Sequence, residues 1–289
     1  MKKIFFYIVI CITVLFSCDS LEKPVDVEIS HDPLYVVQGY IENGSSPKVI
    51  LSQSANYESQ ILLDGSQFIN DALVVIHTNT YSDTLQADFY FDEESQFGYN
   101  YSSSNMMNVA NDEIVSLEVV LADGSLLSAQ TTIPEPIVLD SIVIKYDGSL
   151  NKNQFISYLT DSPGFGDFYR NTSFQIFKDS LLNDDGPNSI YNDFWFDDDL
   201  TDGTSFPFEI TLYEFDEGDT LIIATSKLTE VHFDYITSVF GAADANGNPF
   251  GQSGAIQSNI EGGTGIFTGI SMVRDTVVAV NRDTTIVIP

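Results

Sequence analysis

Basic residues are scarce in this 289-residue chain: 11 Lys and Arg stand against 42 Asp and Glu, a net charge of −31. Affinity for nucleic acid rests on cations that neutralise phosphates, so a surface of this sign excludes DNA or RNA as a partner. A polybasic grip on anionic lipid is excluded for the same reason. Cysteine is nearly absent. Cys11 and Cys18 both lie at the N-terminal end, so the body holds no thiol for a disulfide framework or a Cys-ligated metal. The three histidines, His31, His77 and His232, fit no H-E-x-x-H spacing, and no G-x-S-x-G nucleophile elbow occurs. No repeat of solenoid or propeller period is present. Apolar residues make up 43% and aromatics 12%, which suffices for a real core and excludes intrinsic disorder as the main state.

What is present at the N-terminus is an address. Lys2 and Lys3 precede an uncharged run from Ile4 to Phe16, too short to span a bilayer but suited to an export signal. Leu15-Phe16-Ser17-Cys18 resembles the lipobox of bacterial lipoproteins, in which the cysteine is acylated and the preceding peptide removed. Residues 1–17 are thus expected to be a signal peptide and Cys18 the lipid-attachment residue. Loss of Lys2 and Lys3 leaves nine basic residues against 42 acidic, a net charge of −33. Two or more acyl chains hold a membrane stably where one does not, so no basic patch is needed. Residues 18–32 are polar, carry Pro24 and early charges at Asp19, Glu22 and Lys23, and read as a tether. Such short charged segments accompany export to the cell surface in some Gram-negative lipoproteins.

The body reads as mainly β. Leu34–Ile41, Val49–Ser54, Leu73–Thr78, Ile114–Ala122 and Leu126–Ile133 are strand-like, with Asp123-Gly124 a hairpin turn between the last two. Residues 33–133 are therefore expected to form an Ig-like β-sandwich. Pro134 and Pro136 deny ladder donors and stiffen a link. Residues 137–289 form a second β-rich domain, so the expected fold is two β-sandwich-like regions in tandem. The second carries one amphipathic helix at about 226–240, since Leu228, Val231, His232, Tyr235, Ile236 and Val239 recur at helical spacing. Thr225 or Ser226 would cap it and Gly241 would end it. The glycines of Gly263-Thr264-Gly265-Ile266-Phe267-Thr268-Gly269 are misplaced for a dinucleotide loop and indicate tight turns or close strand approach.

One segment has the residue types of a binding site. Asp193 to Gly203 sets Phe194 and Trp195, the single tryptophan, beside Asp197, Asp198, Asp199 and Asp202. Hard carboxylate oxygens suit Ca²⁺, although the EF-hand order fails at Leu200 and Thr201; Asp244-Ala245-Asn246-Gly247-Asn248-Pro249 fails likewise at Pro249. The same segment could serve as a sugar or peptide platform, with Trp195 as the flat face. Or it is a strand, Tyr191–Phe196, with a solvated acidic turn. Asp184 and Asp185 match glycosidase equipment in residue type alone, because separation in space decides that chemistry. No catalytic residue and no cofactor other than Ca²⁺ is indicated.

The lipobox, the LYVVQGYI strand and the following PKVILSQSANYES, together with Ile69–Val75 and Thr132-Ile133-Pro134, resemble a family of Bacteroidota outer-membrane lipoproteins defined by a domain of unknown function. Asp140-Ser141-Ile142, Asn248-Pro249-Phe250 and Ser258–Phe267 extend the likeness over most of the chain. Thr264 departs from it, standing where a larger apolar residue is commoner. The resemblance implies a lipid-anchored outer-membrane protein commonly encoded beside a TonB-dependent receptor, and it brings no catalytic residues. The expected function is that of a non-catalytic, surface-exposed binding or lid-like accessory to such a receptor in nutrient uptake. The alternatives are a surface hydrolase using clustered carboxylates and an adhesin or structural module.

Overall fold

The computed structural model describes residues 32–54, 67–92, 97–110, 112–150, 152–176, 188–213, 217–245 and 254–287. The signal, Cys18, the tether up to residue 31 and the Asp184-Asp185 pair lie outside them. The first strands are β1 Tyr35–Ile41, β2 Lys48–Gln53, β3 Leu73–His77, β4 Ser82–Asp92, β5 Phe97–Ser102, β6 Val115–Val120 and β7 Leu126–Thr131. After Pro134 and Pro136 come β8 Leu139–Asp147, β9 Lys152–Thr160, β10 Phe168–Ile176, β11 Asn188–Asp197, β12 Ser205–Tyr213 and β13 Thr220–Leu228. Helix α1 (Glu230–Ala245) precedes β14 Thr264–Val278 and β15 Thr284–Val287. Among the described residues no helix is long and apolar enough to cross a membrane.

Period-two patterning builds the first sandwich. Val37 and Ile41 on β1, Val49 and Leu51 on β2, and Val74 and Ile76 on β3 are at most 1% exposed, and they meet Val115, Leu117 and Val119 of β6 in one core. β4 turns the corner between the two layers: Ser82–Leu85 pair with β3, whereas residues from Gln86 to Asp92 pair with β5 across a register shift.

One strand belongs to both halves. The first part of β14, Thr264–Gly269, pairs in parallel with β1, and its second part, Ile270–Val278, pairs antiparallel with β13. Phe267 and Ile260 sit in the first core, and Glu261 exchanges backbone hydrogen bonds with Ser128 of β7 at 2.8 and 3.1 Å. The chain after Pro136 therefore supplies an edge strand to the sandwich before it. The glycines permit this. A Cβ on Gly269 would lie 2.1 Å from the Thr132 carbonyl oxygen, and one on Gly265 only 1.9 Å from that of Val37.

The second sandwich sets β11-β10-β13-β14 against β12-β9-β8-β15. Its interior holds two separate apolar clusters, one including Ile142, Phe155, Leu221 and Val277, the other Leu139, Leu159, Tyr169, Phe206 and Phe208. Polar residues fall between them on the same strand faces. Ser157 lies between Phe155 and Leu159, Asp275 between Val273 and Val277, and Asn171 donates to Thr225 Oγ1 at 2.9 Å. Ser157 and Ser173 are 0% exposed.

The helix starts later than its periodicity suggests, at Glu230 rather than 226. Ser226 and Leu228 remain in β13, paired with Met272 and Ile270. Thr229 is the cap: its Oγ1 and carbonyl accept from the His232 N–H at 3.3 and 3.0 Å. The end also moves, from 240 to Ala245, because the alanines after Gly241 favour the helix enough to carry it past the glycine. His232 and Ile236 face inward while Val231 is exposed.

Candidate functional site

The acidic segment divides on folding. Phe194 turns into the second core, packing on Phe196 and Phe208 with centroids 6.0 and 5.7 Å away. Trp195 points to the other side, where Nε1 donates to Thr237 Oγ1 at 3.0 Å and the indole packs on Phe240 at 4.5 Å. Its apolar surface is thus engaged by α1. Asp197 and Asp199 are exposed, Asp198 is 1% exposed and Asp202 is half-buried. Of the second Ca²⁺ candidate, Asp244 and Ala245 lie in the last turn of α1 and 246–249 lie outside the described residues.

Asp198 and Asp202 meet a third carboxylate that the sequence reading left out, Asp161 at the end of β9. One carboxylate oxygen of each lies within 4.8 Å of the others. Backbone geometry holds them there. The β9–β10 loop carries Gly164 at φ 129° and Gly166 at φ 107°, values that L side chains rarely adopt. The Gly164 N–H donates to Asp202 Oδ1 at 2.6 Å and the Gly166 N–H to Asp198 Oδ1 at 3.0 Å. In return the Gly203 N–H donates to Asp161 Oδ2 at 3.1 Å, and the Tyr169 hydroxyl donates to Asp161 Oδ1. Burial, together with the Asp161 and Asp167 carboxylates, raises the Tyr169 hydroxyl pKa well above the usual phenol range. Asp198 Oδ2 and Thr201 Oγ1 are buried without a hydrogen-bond partner.

A second place has the form of a ligand pocket. Where the two sandwiches meet α1, a cavity of about 150 Å³ is lined by residues that include Tyr40, Lys48, Tyr99, Arg170, His232 and Arg274. Three of the chain's 11 cations converge here. Each is closed by a carboxylate. Lys48 Nζ lies 2.5 Å from Asp92 and over the rings of Tyr90 and Tyr99 at 5.3 and 5.6 Å. Arg170 grips Asp193 with two bonds of 2.8 Å, and Arg274 holds Glu42 at 3.2 and 3.3 Å. His232, 3% exposed, packs at a tilt against Tyr40, with ring centroids 5.7 Å apart. Burial, reinforced by the Arg170 charge, pushes its pKa down to about 3, so the imidazole is neutral. Burial also raises the Tyr40 hydroxyl far above its ordinary value, with Tyr235 and Tyr99 adding to it. At neutral pH the cavity presents aromatic faces, fixed ion-pair dipoles and one neutral imidazole. Asp275, a carboxylate whose pKa burial raises, lies in the second core and does not line it.

Of the cavity residues, Leu228 and His232 stand out in the sequence only as part of the helical stripe, and none reads there as a binding residue. Charged residues in mid-strand, Arg170 and Arg274, were the available signal, because an unpaired charge is costly there. Asp161-Ser-Pro-Gly-Phe-Gly-Asp167, two acids around two glycines, was the corresponding signal for the carboxylate cluster.

The class is set by this build: a mainly β protein of two sandwiches joined by a shared strand, with a helix over the join. The chain belongs to the family described as a domain of unknown function (DUF4249), whose sequence profile matches residues 22–276. No curated protein matches it.

Proposed function

We propose that this chain is a non-catalytic lipoprotein, anchored in the outer membrane through acylated Cys18 and facing the cell surface. There it serves as a binding or lid-like accessory to a TonB-dependent receptor in nutrient uptake. The export signal, the lipobox and the resemblance to Bacteroidota lipoproteins encoded beside such receptors support the setting. The cavity at the join carries the binding part of the reading. Its cations are closed by carboxylates and its imidazole is neutral, so its groups can orient a small uncharged polar solute and have little proton to exchange at neutral pH. The β4–β5 hairpin supports contact with a partner, because Tyr90, Phe91 and Phe97 are each 47% exposed, and exposed aromatics are common interface anchors. The test is affinity purification of the tagged, full-length protein from detergent-solubilised outer membrane. A β-barrel receptor is expected in near-stoichiometric amount; recovery of the lipoprotein without one overturns the pairing.

A further inference from the structure

The Asp161–Asp198–Asp202 cluster brings together three carboxylates from two loops, the one joining β9 to β10 and the one joining β11 to β12. Acids gathered on a surface are commonly just solvated. These differ in two respects. Asp161 and Asp198 are 2% and 1% exposed, so water cannot screen them as it screens surface acids. And Asp198 Oδ2, within this buried group, has no partner, as is also true of Thr201 Oγ1 one residue before Asp202. Among the described residues no Lys or Arg pairs with the three. The nearby Lys227 is bound to Asp167 at 2.6 Å.

We propose that Asp161, Asp198 and Asp202 bind a Ca²⁺ ion that clasps the β9–β10 loop to the β11–β12 loop. The donor set decides the ion. All the side-chain donors are hard oxygens, which disfavours zinc and copper. Three carboxylates in a largely buried site leave little room for the several waters that Mg²⁺ retains, while Ca²⁺ accepts many protein oxygens in flexible geometry. The N–H groups of Gly164, Gly166 and Gly203 each occupy one lone pair and fix the carboxylates in place. An ionised carboxylate offers about four lone-pair sites, so the remaining ones are free for the ion. The inference does not rest on the receptor pairing or on the cavity.

The experiment uses the full-length lipoprotein in detergent, stripped with chelator and titrated with CaCl₂ by calorimetry, with thermal melting in parallel. One Ca²⁺ per chain is expected, with a Kd of about 10⁻⁴–10⁻³ M, the range of extracellular sites, and a higher melting temperature in millimolar Ca²⁺ but not in Mg²⁺. Asp202→Asn, at a half-buried position, is expected to weaken binding about tenfold or more through the lost ligand charge. Asp198→Asn removes a charge that only the ion balances. In chelator it should therefore melt at or above the wild-type temperature, and it should gain nothing from Ca²⁺. The exposed neighbours Asp197→Asn and Asp199→Asn should bind as wild type. Absence of binding heat and of any Ca²⁺-dependent melting shift in the wild type overturns the proposal. So does equal weakening by Asp197→Asn and Asp202→Asn, which would mean diffuse counterion attraction. Should Asp198→Asn fail to fold, Asp202→Asn against Asp197→Asn still decides.

Discussion

Replacing Gly265 by alanine should come close to unfolding the protein, and the reason lies in one contact. Gly265 pairs with Val37 in the parallel ladder between β14 and β1. An added Cβ would stand 1.9 Å from the Val37 carbonyl oxygen and 2.9 Å from its carbon. A comfortable carbon–oxygen approach is about 3.3 Å, so the strands must part locally by about 1.4 Å. That separation breaks the two flanking hydrogen bonds, at about 0.5–1.5 kcal/mol each. The backbone adds its own cost, since φ is +117°, a region that charges a non-glycine residue about 1–3 kcal/mol. Val37 and Phe267, both fully buried in the first core, then lose part of their packing. The hydrogen-bond and backbone costs together come to about 2–6 kcal/mol before any packing loss, against a typical folding stability of about 5–15 kcal/mol. Gly124→Ala is the control. It too has a positive φ, +85°, but nothing lies within 4 Å of the added carbon, so the backbone term alone, about 1–2 kcal/mol, is expected. Urea unfolding of full-length protein, followed by far-ultraviolet dichroism and by Trp195 fluorescence, measures both. A Gly265→Ala midpoint equal to that of Gly124→Ala would refute the close-approach argument.

Three further outcomes are expected. His232 has its pKa lowered from 6.5 to about 3; the unfolded chain therefore binds a proton that the native state excludes, and stability falls as pH drops through that window by about 1.4 kcal/mol per pH unit. His232→Gln should flatten the slope in a pH series of melts, and an unchanged slope counts against the buried neutral imidazole. Burial raises Asp275 above 3.8, so stability from this group is greatest below 3.8 and is lost as pH rises through its native pKa. Asp275→Asn should thus raise the melting temperature at neutral pH and not below pH 3.8; a loss at neutral pH would mean the carboxylate is favourably held. Cys18→Ala should free the β body from the membrane, since an acyl anchor is not screened by salt and no basic patch replaces it. A processed Cys18→Ala chain that stays on outer membranes through high-salt washing would refute the lipid anchor.

Where the sequence was legible, one face of a strand was uniformly apolar. LYVVQGYI reads as β1 because Val37 and Ile41 alternate with half-exposed neighbours, and Asp123-Gly124 marks the β6–β7 turn, Gly124 having φ +85°. β4 did not show because its alternation stops after Leu85: the next six residues are on the outside once the strand has turned the corner. β9 did not show because Asn153 and Ser157 take two of its inward positions. The glycines of Gly263–Gly269 read as tight turns and close strand approach, and Gly265 and Gly269 supply the close approach, since only glycine lets β14 lie so near β1 and Thr132. The acidic segment was visible as composition. Its division into Trp195 under the helix, exposed Asp197 and Asp199, and buried Asp198 was not, because the partner loop at Asp161 lies far upstream in sequence.

The scarcity of cations gives the cavity its character. In a chain of −31, an unpartnered Lys or Arg lining a cavity would be an anion trap. Lys48, Arg170 and Arg274 are instead each matched at 2.5, 2.8 and 3.2 Å by Asp92, Asp193 and Glu42. These pairs are partly buried, where desolvation offsets much of the attraction between the charges, so stability does not explain why three of them surround one small space. Their effect is electrostatic shape. Paired charges leave dipoles in the wall, with no net charge to draw in the anions that the acidic surface repels. A neutral solute with hydroxyl or amide groups meets fixed donors and acceptors beside the Tyr40 and Tyr99 rings, which pack edge to face on each other. Its binding, measured by calorimetry, is expected to be nearly independent of ionic strength, because screening acts on net charge separated by more than a Debye length and hardly on contacts inside a buried site. A strong salt dependence would instead mean that the ligand displaces one of the three carboxylates and takes its place as the anion.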